Sequence, residues 1–154
     1  MKLKDFDFRI WDNIEKRYIK TPHGLYIENT EHNDASNCNR IIANYEQRAF
    51  YIDYPFNDRS NEYYDNEESL LIELFTGIYD KKGKKVYEND IVKVKSLYDH
   101  FLAKIRIHKA GTFYFERKNG DYLGSLHYLV EDQGYTIEII GNIHENSELI
   151  KEIE

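Results

Sequence analysis

The segment between residues 74 and 94 constrains the fold more than any other part of this chain. It reads LFTGIYDKKGKKVYENDIVKV, in which two β-capable runs flank a short polar loop. Asp80 can cap this loop through its carboxylate, and Gly83 can adopt the positive φ that closes such a turn. A second turn follows at Asn89 and Asp90, because asparagine tolerates a left-handed backbone. The pattern predicts consecutive antiparallel strands joined by tight turns.

Short strand patterns continue through the second half of the chain. Residues 101–108 alternate apolar and polar side chains, residues 112–117 are rich in aromatics, and the Asn119-Gly120 pair that follows is typical of a hairpin. A later apolar run ends at Gly141, and Asn146 is predicted as the N-cap of a short C-terminal helix. About five or six short strands with tight connections predict a small closed or nearly closed antiparallel barrel.

The first half of the chain has fewer strand patterns and longer polar stretches. Residues 6–11 and 49–54 have strand character, whereas residues 28–39 and 55–66 are polar and favour loops. We therefore predict a loop-rich, mixed N-terminal subdomain over residues 1–73 and a barrel subdomain over residues 74–154. The predicted fold class is mainly β, with a minor α component that includes the C-terminal helix.

Charge is distributed unevenly along the chain, whose formal net charge is −7. Residues 28–73 hold eleven acids and three bases, a net of −8, and residues 131–154 hold seven acids and one base, a net of −6. Residues 76–130 hold eleven bases and six acids, a net of +5. The overall sign argues against non-specific binding of nucleic acid, but the basic middle keeps a local nucleic-acid site open.

Three blocks of the sequence together resemble the YopX family of phage and prophage proteins. They are FRIWD at residues 8–12, the segment from Thr76 to Val92, and EIIGNIHENSEL at residues 138–149, in the order and spacing of that family. The resemblance implies a small, mostly β phage protein whose second half is similar to a Src-homology-3-like (SH3-like) barrel. It implies no activity that can be transferred residue by residue.

Few residue patterns in the sequence are typical of catalysis. Cys38 is the single cysteine, and its neighbours provide no base to activate it. The six histidines show no metal-ligand spacing, and neither a Gly-rich phosphate loop nor a Gly-x-Ser-x-Gly elbow occurs. We expect no enzymatic activity, no metal and no cofactor. Paired carboxylates such as Glu67 and Glu68 are interpreted as solvated surface.

Basic residues that alternate along two strand patterns define a candidate nucleic-acid face. If the strands pair, the bases form one ladder, with Tyr98, Phe113 and Phe115 nearby to stack on nucleobases. The alternative is that alternation simply places the basic side chains on the solvent side of a half-buried sheet, and we favour this alternative. The candidate residues are Lys93, Lys95, Lys104, Arg106, Lys109, Phe113 and Phe115.

Tyrosines in the first half of the chain define a candidate protein-binding face, because tyrosine is enriched at interfaces. They are Tyr51, Tyr54, Tyr63 and Tyr64. The expected function is a non-enzymatic protein-binding module that acts on a host or phage protein, and an acidic surface could occupy a nucleic-acid-binding site on a host factor. Nucleic acid is the alternative partner, and a homo-oligomer is also compatible with the sequence. No apolar run is long enough to span a bilayer and no secretion signal is visible, so we expect the cytoplasm of the host cell and no membrane partner.

Overall fold

The computed structural model describes residues 5–19, 24–29, 39–45, 48–51 and 70–153. Within these ranges the backbone is predominantly β-strand. In chain order the elements are β1 (Phe8–Asp12), β2 (Arg17–Tyr18), β3 (Gly24–Asn29), β4 (Asn39–Tyr45), β5 (Arg48–Tyr51), β6 (Leu70–Tyr79), β7 (Lys85–Tyr87), β8 (Asp90–Lys95), β9 (His100–Ile107), β10 (Phe113–Glu116), β11 (Tyr122–Ser125), a π-helical turn (Tyr128–Asp132), β12 (Thr136–Asn142) and α1 (Ser147–Ile153).

The chain divides into two compact units. One consists of Met1–Arg9 with Glu73–Glu154, and the other of Ile10–Ile72. The division at residues 73 and 74 predicted from the sequence stays a prediction.

The unit of residues 10–72 contains a hairpin and a three-stranded sheet. In the hairpin, Trp11 of β1 lies opposite Tyr18 of β2, and their rings meet edge to face with centroids 5.0 Å apart. Asp12 organises the turn, because its Oδ1 accepts hydrogen bonds from the N–H groups of Ile14 and Glu15 at 2.9 Å. The sheet is antiparallel in the order β3-β4-β5.

The other unit is built around a five-stranded antiparallel sheet in the order β11-β10-β9-β8-β12, which curls into a half-barrel. Alternation along each strand directs one set of side chains into the core. The core side chains are buried and apolar: Ile78, Val86, Val92, Val94, Ala103, Ile105, Phe115, Leu126 and Ile137. The helix α1 contacts β9, and its Ile153 is buried.

The segment with which the sequence analysis began forms β6, a tight turn and β7. Asp80 Oδ1 accepts hydrogen bonds from the N–H groups of Lys82 and Lys84 at 2.9 Å, and Gly83 has a φ of +78°. The same turn covers the outer edge of β12, because the Lys81 N–H donates to the Ile137 carbonyl at 2.9 Å. The Asp80 carboxylate therefore satisfies the backbone N–H groups of a turn that also covers an edge of the sheet.

The predicted fold class is confirmed: the protein is mainly β, with a curled antiparallel sheet in the second half and a short C-terminal helix. Two details differ from simple strand patterns. The residues from Leu70 to Glu73, whose apolar pattern alone fits either a helical turn or a strand, form the beginning of β6. After β11 the chain leaves the sheet and forms the π-helical turn Tyr128–Asp132.

Candidate functional site

The five-stranded sheet has two chemically different faces, and its register decides which residues share each one. Val92 lies opposite Ala103 and Val94 opposite Phe101, so these side chains face the core. Lys95 lies opposite His100 and Lys93 opposite Leu102, on the other face. Directly opposed residues in an antiparallel pair point to the same side of a sheet. Near the β8–β9 turn, the face away from the core is therefore basic.

A groove of about 400 Å³ lies on this face where β8, β12 and the β6–β7 turn come together. Lys93 and Lys95 both point outward from β8, and Thr136 and Glu138 lie opposite them on β12. Among the described residues the lining is Lys81, Lys93, Lys95, His100, Thr136, Ile137 and Glu138. Three lysines and one carboxylate thus line what we call the basic groove.

The single carboxylate of the basic groove is already engaged by lysines. Glu138 Oε2 pairs with Lys81, and its Oε1 lies 2.6 Å from Lys82 Nζ. The hydrogen bonds from Lys81 and Lys82 lower the pKa of Glu138 to about 2, and the Glu138 carboxylate raises the pKa of Lys82. Within the part of the chain that the structure describes, no carboxylate lies within ion-pairing distance of Lys93 or Lys95. The groove therefore keeps uncompensated positive charge.

The other basic residues of the predicted face lie in a different environment. Lys104 Nζ pairs with Glu116 at 2.9 Å, and Arg106 Nη1 donates to Asn89 Oδ1 at 2.6 Å. Lys109 is exposed in the turn after β9. The basic ladder expected from alternation is thus divided into an unpaired end near the β8–β9 turn and a paired end next to β10.

The stacking role predicted for Phe113 and Phe115 is corrected by the register of β10. Phe113 lies opposite Ile107 and Phe115 opposite Ile105, so both rings belong to the core side, and Phe115 is fully buried. The ring that shares a face with Arg106 is that of Tyr114, which contacts the Tyr122 ring at a centroid distance of 5.1 Å. Phe115 therefore stabilises the core of the half-barrel and presents no surface to a ligand.

Two large side chains project at the tip of the β8–β9 hairpin. Leu97 is 88% exposed and Tyr98 is 96% exposed. The loop that carries them is held by Ser96, whose Oγ accepts the N–H groups of Tyr98 at 3.3 Å and Asp99 at 3.1 Å. The Ser96 N–H also donates to the Asp99 carbonyl at 2.8 Å. A hydrogen-bonded turn therefore presents two apolar groups directly beside Lys95.

A buried network of charged groups joins the N-terminal, middle and C-terminal blocks of the sequence. Glu73 accepts hydrogen bonds from Arg9 Nε at 2.6 Å and from Asn89 Nδ2 at 2.8 Å, and its Oε1 lies 2.7 Å from His144 Nε2. Arg9 Nη2 also donates to Asp90 Oδ1 at 2.8 Å. The Glu73 and Asp90 side chains are only 1% and 2% exposed. We call these five residues the Arg9 network.

The two carboxylates of the Arg9 network differ in protonation behaviour. Burial alone would raise the pKa of Glu73, but the His144 hydrogen bond and the Arg9 charge lower it below its usual range. Because the carboxylate is then ionised, His144 Nε2 must be the donor. Burial raises the pKa of Asp90 to about 6, although Arg9 opposes this shift. Paired in this way, both carboxylates support the fold.

The remaining turn and cap residues of the prediction have local roles. Asn89 adopts a φ of +67°, and Asp90 Oδ2 closes that turn by accepting the Tyr87 N–H at 2.8 Å. A Cβ on Gly141 would lie 2.5 Å from Asn146 Oδ1, so a larger residue here would have to displace the Asn146 side chain. The Asn146 side chain accepts from the Asn142 N–H at 3.2 Å, immediately before α1 begins.

Sequence reasoning did not identify the Arg9 network as a set. Arg9, Asn89, Asp90 and His144 all lie in the three blocks that carry the family resemblance, and this was the available signal. Glu73 lies outside those blocks, and nothing local to it indicated burial.

The predicted protein-binding face lies mostly outside the described residues. Tyr54, Tyr63 and Tyr64 lie outside the described residues, and of Tyr51 only the backbone, in β5, is described.

In the described ranges, no group of three or more His, Cys, Asp or Glu side chains is arranged to hold a metal ion. No helix in those ranges is long and apolar enough to cross a membrane.

Two solved structures are similar over nearly the whole chain. The crystal structure of protein EF1440 from Enterococcus faecalis aligns with a TM-score of 0.55 at 23% identity, covering 94% of this chain and 97% of that one. The crystal structure of protein yopX from Bacillus subtilis aligns with a TM-score of 0.53 at 18% identity, covering 92% and 95%. At these identities the likeness shows the fold alone.

The family comparison is more specific. No curated protein matches the chain at a significant level. The family model described as YopX protein matches residues 7–151, which include all three blocks noted in the sequence. The chain therefore belongs to the YopX family.

Proposed function

We propose that this chain is a non-enzymatic binding module, encoded by a phage or prophage, that docks a protein partner through the tip of the β8–β9 hairpin. The observation that carries the proposal is the exposure of Leu97 and Tyr98 side by side, at 88% and 96%. Single exposed apolar residues are ordinary on protein surfaces, but two adjacent ones on a hydrogen-bonded turn form an anchor. Tyrosine is among the residues that contribute most to binding energy at interfaces.

The hydrogen bonds that restrain the backbone of the hairpin tip favour binding. Because Ser96 fixes the loop through two accepted hydrogen bonds, less conformational entropy is lost when a partner orders Leu97 and Tyr98. Lys93 and Lys95 flank the tip on one side with uncompensated charge. The complementary partner surface is an apolar pocket with an acidic rim on that side.

The proposal assigns the protein to the cytoplasm of the host cell, with a host or phage protein as its partner. It includes no catalytic step, since the buried carboxylates Glu73 and Asp90 serve the Arg9 network. Two other forms of protein binding are compatible with the sequence. In one, an acidic surface of this chain occupies the nucleic-acid site of a host factor, and in the other, identical chains assemble.

Photo-crosslinking tests the proposal directly. A benzophenone side chain is introduced at position 98, with position 122 as the matched control, because Tyr122 is also an exposed tyrosine on the same unit. We expect one protein to crosslink at position 98 and not at position 122, and the product to disappear when Leu97→Ser is added. Identical products from both positions, or a product that contains only a second copy of this chain, would contradict the proposed contact.

Nucleic-acid binding is the second candidate, favoured by the unpaired Lys93 and Lys95 beside the exposed ring of Tyr98. Its signature is binding of single-stranded oligonucleotides that weakens steeply with added salt, because phosphate contacts release counterions. Lys93→Glu should abolish such binding, and Lys118→Glu, on an exposed residue elsewhere, should reduce it much less. If both variants bind as the wild type does, the basic face is not a nucleic-acid site.

A further inference from the structure

We infer that the basic groove between β8 and β12 is a site for a small phosphorylated ligand, separate from the proposed protein contact at the hairpin tip. Leu97 and Tyr98 are not among the residues that line the groove. Because Lys93 and Lys95 border both surfaces, the two inferences are distinguished by variants of Leu97 and Tyr98, which belong to the tip alone.

The first step of the argument is the arrangement of cationic groups. Lys93 and Lys95 leave the same face of β8, roughly 7 Å apart along the strand, and their flexible side chains can converge on one ligand. Lys81 enters from the β6–β7 turn on another wall of the groove. An oxyanion in the groove would be approached by ammonium groups from two separate elements.

The second step is the state of Glu138, the one carboxylate in the lining. It accepts hydrogen bonds from both Lys81 and Lys82, so its charge is compensated within the protein. The same pairing holds the Lys81 side chain at the groove instead of leaving it to move freely in solvent. Glu138 therefore positions a cation at the site and only partly opposes an anion.

The third step concerns the chemistry of the ligand. Phosphate carries up to two negative charges near neutral pH and offers three acceptor oxygens, which suits several ammonium groups and the Thr136 hydroxyl better than a single carboxylate does. A volume of about 400 Å³ exceeds that of one inorganic phosphate and accommodates a diphosphate or a nucleotide.

The fourth step separates a small ligand from a polymer. The chain has a formal net charge of −7, and residues 131–154 alone hold seven acids and one base. This field repels a long polyanion, whereas a small anion experiences mainly the local lysines.

The test is a titration of the full chain with pyrophosphate, monitored through the backbone amide signals in NMR spectra. Chloride holds the ionic strength of the buffer constant. We expect saturable shifts at Lys93, Lys95 and Thr136. The Lys93→Gln/Lys95→Gln variant should bind at least about tenfold more weakly, since two of the ion pairs are lost. Lys109→Gln/Lys118→Gln, which changes two exposed lysines outside the groove, is the matched control and should bind as the wild type does.

A second variant has the opposite expectation, so that loss of folding cannot imitate success. Glu138→Gln removes the one carboxylate and releases Lys81 and Lys82, and affinity for pyrophosphate should rise on the order of threefold. Leu97→Ser/Tyr98→Ser should leave pyrophosphate binding unchanged, which distinguishes this site from the hairpin tip. Shifts that do not saturate, or equal loss in the groove and control variants, would overturn the inference. The inference of a small ligand would also be overturned if single-stranded oligonucleotides bound more tightly than pyrophosphate and their affinity rose with length, since the ligand would then be a polymer.

Discussion

Removal of the Arg9 guanidinium should destabilise the protein strongly and in a pH-dependent manner. Arg9 donates to Glu73 at 2.6 Å and to Asp90 at 2.8 Å, and both carboxylates are almost completely buried. Arg9→Met preserves much of the aliphatic stem and removes the charge. Two carboxylates then remain buried without their cation.

The magnitude follows from the environment of each group. Breaking a buried ion pair by removing one partner costs about 3–5 kcal/mol of unfolding free energy. Glu73 keeps its hydrogen bonds from Asn89 and His144, and the Arg9 side chain is itself 22% exposed. We therefore expect the lower end of that range, about 3 kcal/mol, near pH 8.

The sign of the pH dependence follows from Asp90. Its folded pKa, about 6, already lies above its unfolded value, so protonation stabilises the folded state as the pH falls through 6. Without Arg9 the folded pKa rises further, and protonation relieves part of the penalty. The decrease in unfolding free energy caused by Arg9→Met should be smaller at about pH 5 than at about pH 8, by on the order of 1–3 kcal/mol.

The assay is urea unfolding followed by far-ultraviolet circular dichroism at both pH values. Lys85→Met is the matched control, because Lys85 pairs with Asp7 at an exposed position, and its loss should cost less than about 1 kcal/mol. A loss below about 1 kcal/mol for Arg9→Met, or one equal at both pH values, would refute the reasoning that the network is a buried, charge-compensated support.

Three further predictions concern the core, a close backbone approach and acid stability. Phe115→Ala should lower the unfolding free energy by about 3–5 kcal/mol in urea unfolding, whereas Tyr122→Ala should change it by less than about 0.5 kcal/mol; similar losses would place Phe115 outside the core. Gly141→Ala should cost about 1–3 kcal/mol, and adding Asn146→Gly should recover at least half of this in a double-mutant cycle; no recovery would exclude the predicted clash. Because the pKa of Glu73 is lowered in the folded state, the ionised carboxylate adds to the unfolding free energy above its unfolded pKa, and this contribution is lost as the pH falls. The unfolding free energy of Glu73→Gln should therefore decrease less than that of the wild type between about pH 5 and about pH 3. An equal decrease in both proteins would contradict the lowered pKa.

Local turn chemistry could be predicted from the sequence because it depends on neighbouring residues. Asp80 and Gly83 form the expected turn, and Asn89 adopts the expected positive φ. The outward alternation of Lys93 and Lys95 also followed from the two-residue period of a strand.

The side of the sheet to which β10 directs its rings could not be predicted. Alternation alone does not say whether Phe115 or Tyr114 shares a face with Arg106, since a shift of one residue in the pairing of β9 and β10 exchanges the two faces. The register places Phe115 opposite Ile105, in the core. Of the three rings predicted to stack, Phe113 and Phe115 therefore lie on the core side, whereas Tyr98 is exposed.

The Arg9 network could not be predicted for a different reason. Arg9 and Glu73 are 64 residues apart, and Glu73 and His144 are 71 apart, so only the tertiary fold brings them together. Tyr98 was predicted as a ring able to stack on nucleobases, and it is exposed. The exposure of the adjacent Leu97 could not be predicted, because an apolar residue in a short turn has the same sequence pattern whether it is buried or projects into solvent.

The most direct test of the proposed function is the loss of a protein partner when the hairpin tip alone is changed. Immobilised wild type, Leu97→Ser/Tyr98→Ser and the control Tyr122→Ser are compared in host-cell lysate by quantitative mass spectrometry, and the affinity of any selectively retained protein is then measured with purified components. The account predicts a partner that the wild type and Tyr122→Ser bind equally and that the tip variant binds at least about tenfold more weakly, since interface anchors of this kind contribute 1.4 kcal/mol or more. Equal retention of every partner by all three proteins would contradict the assignment of the hairpin tip as the binding surface.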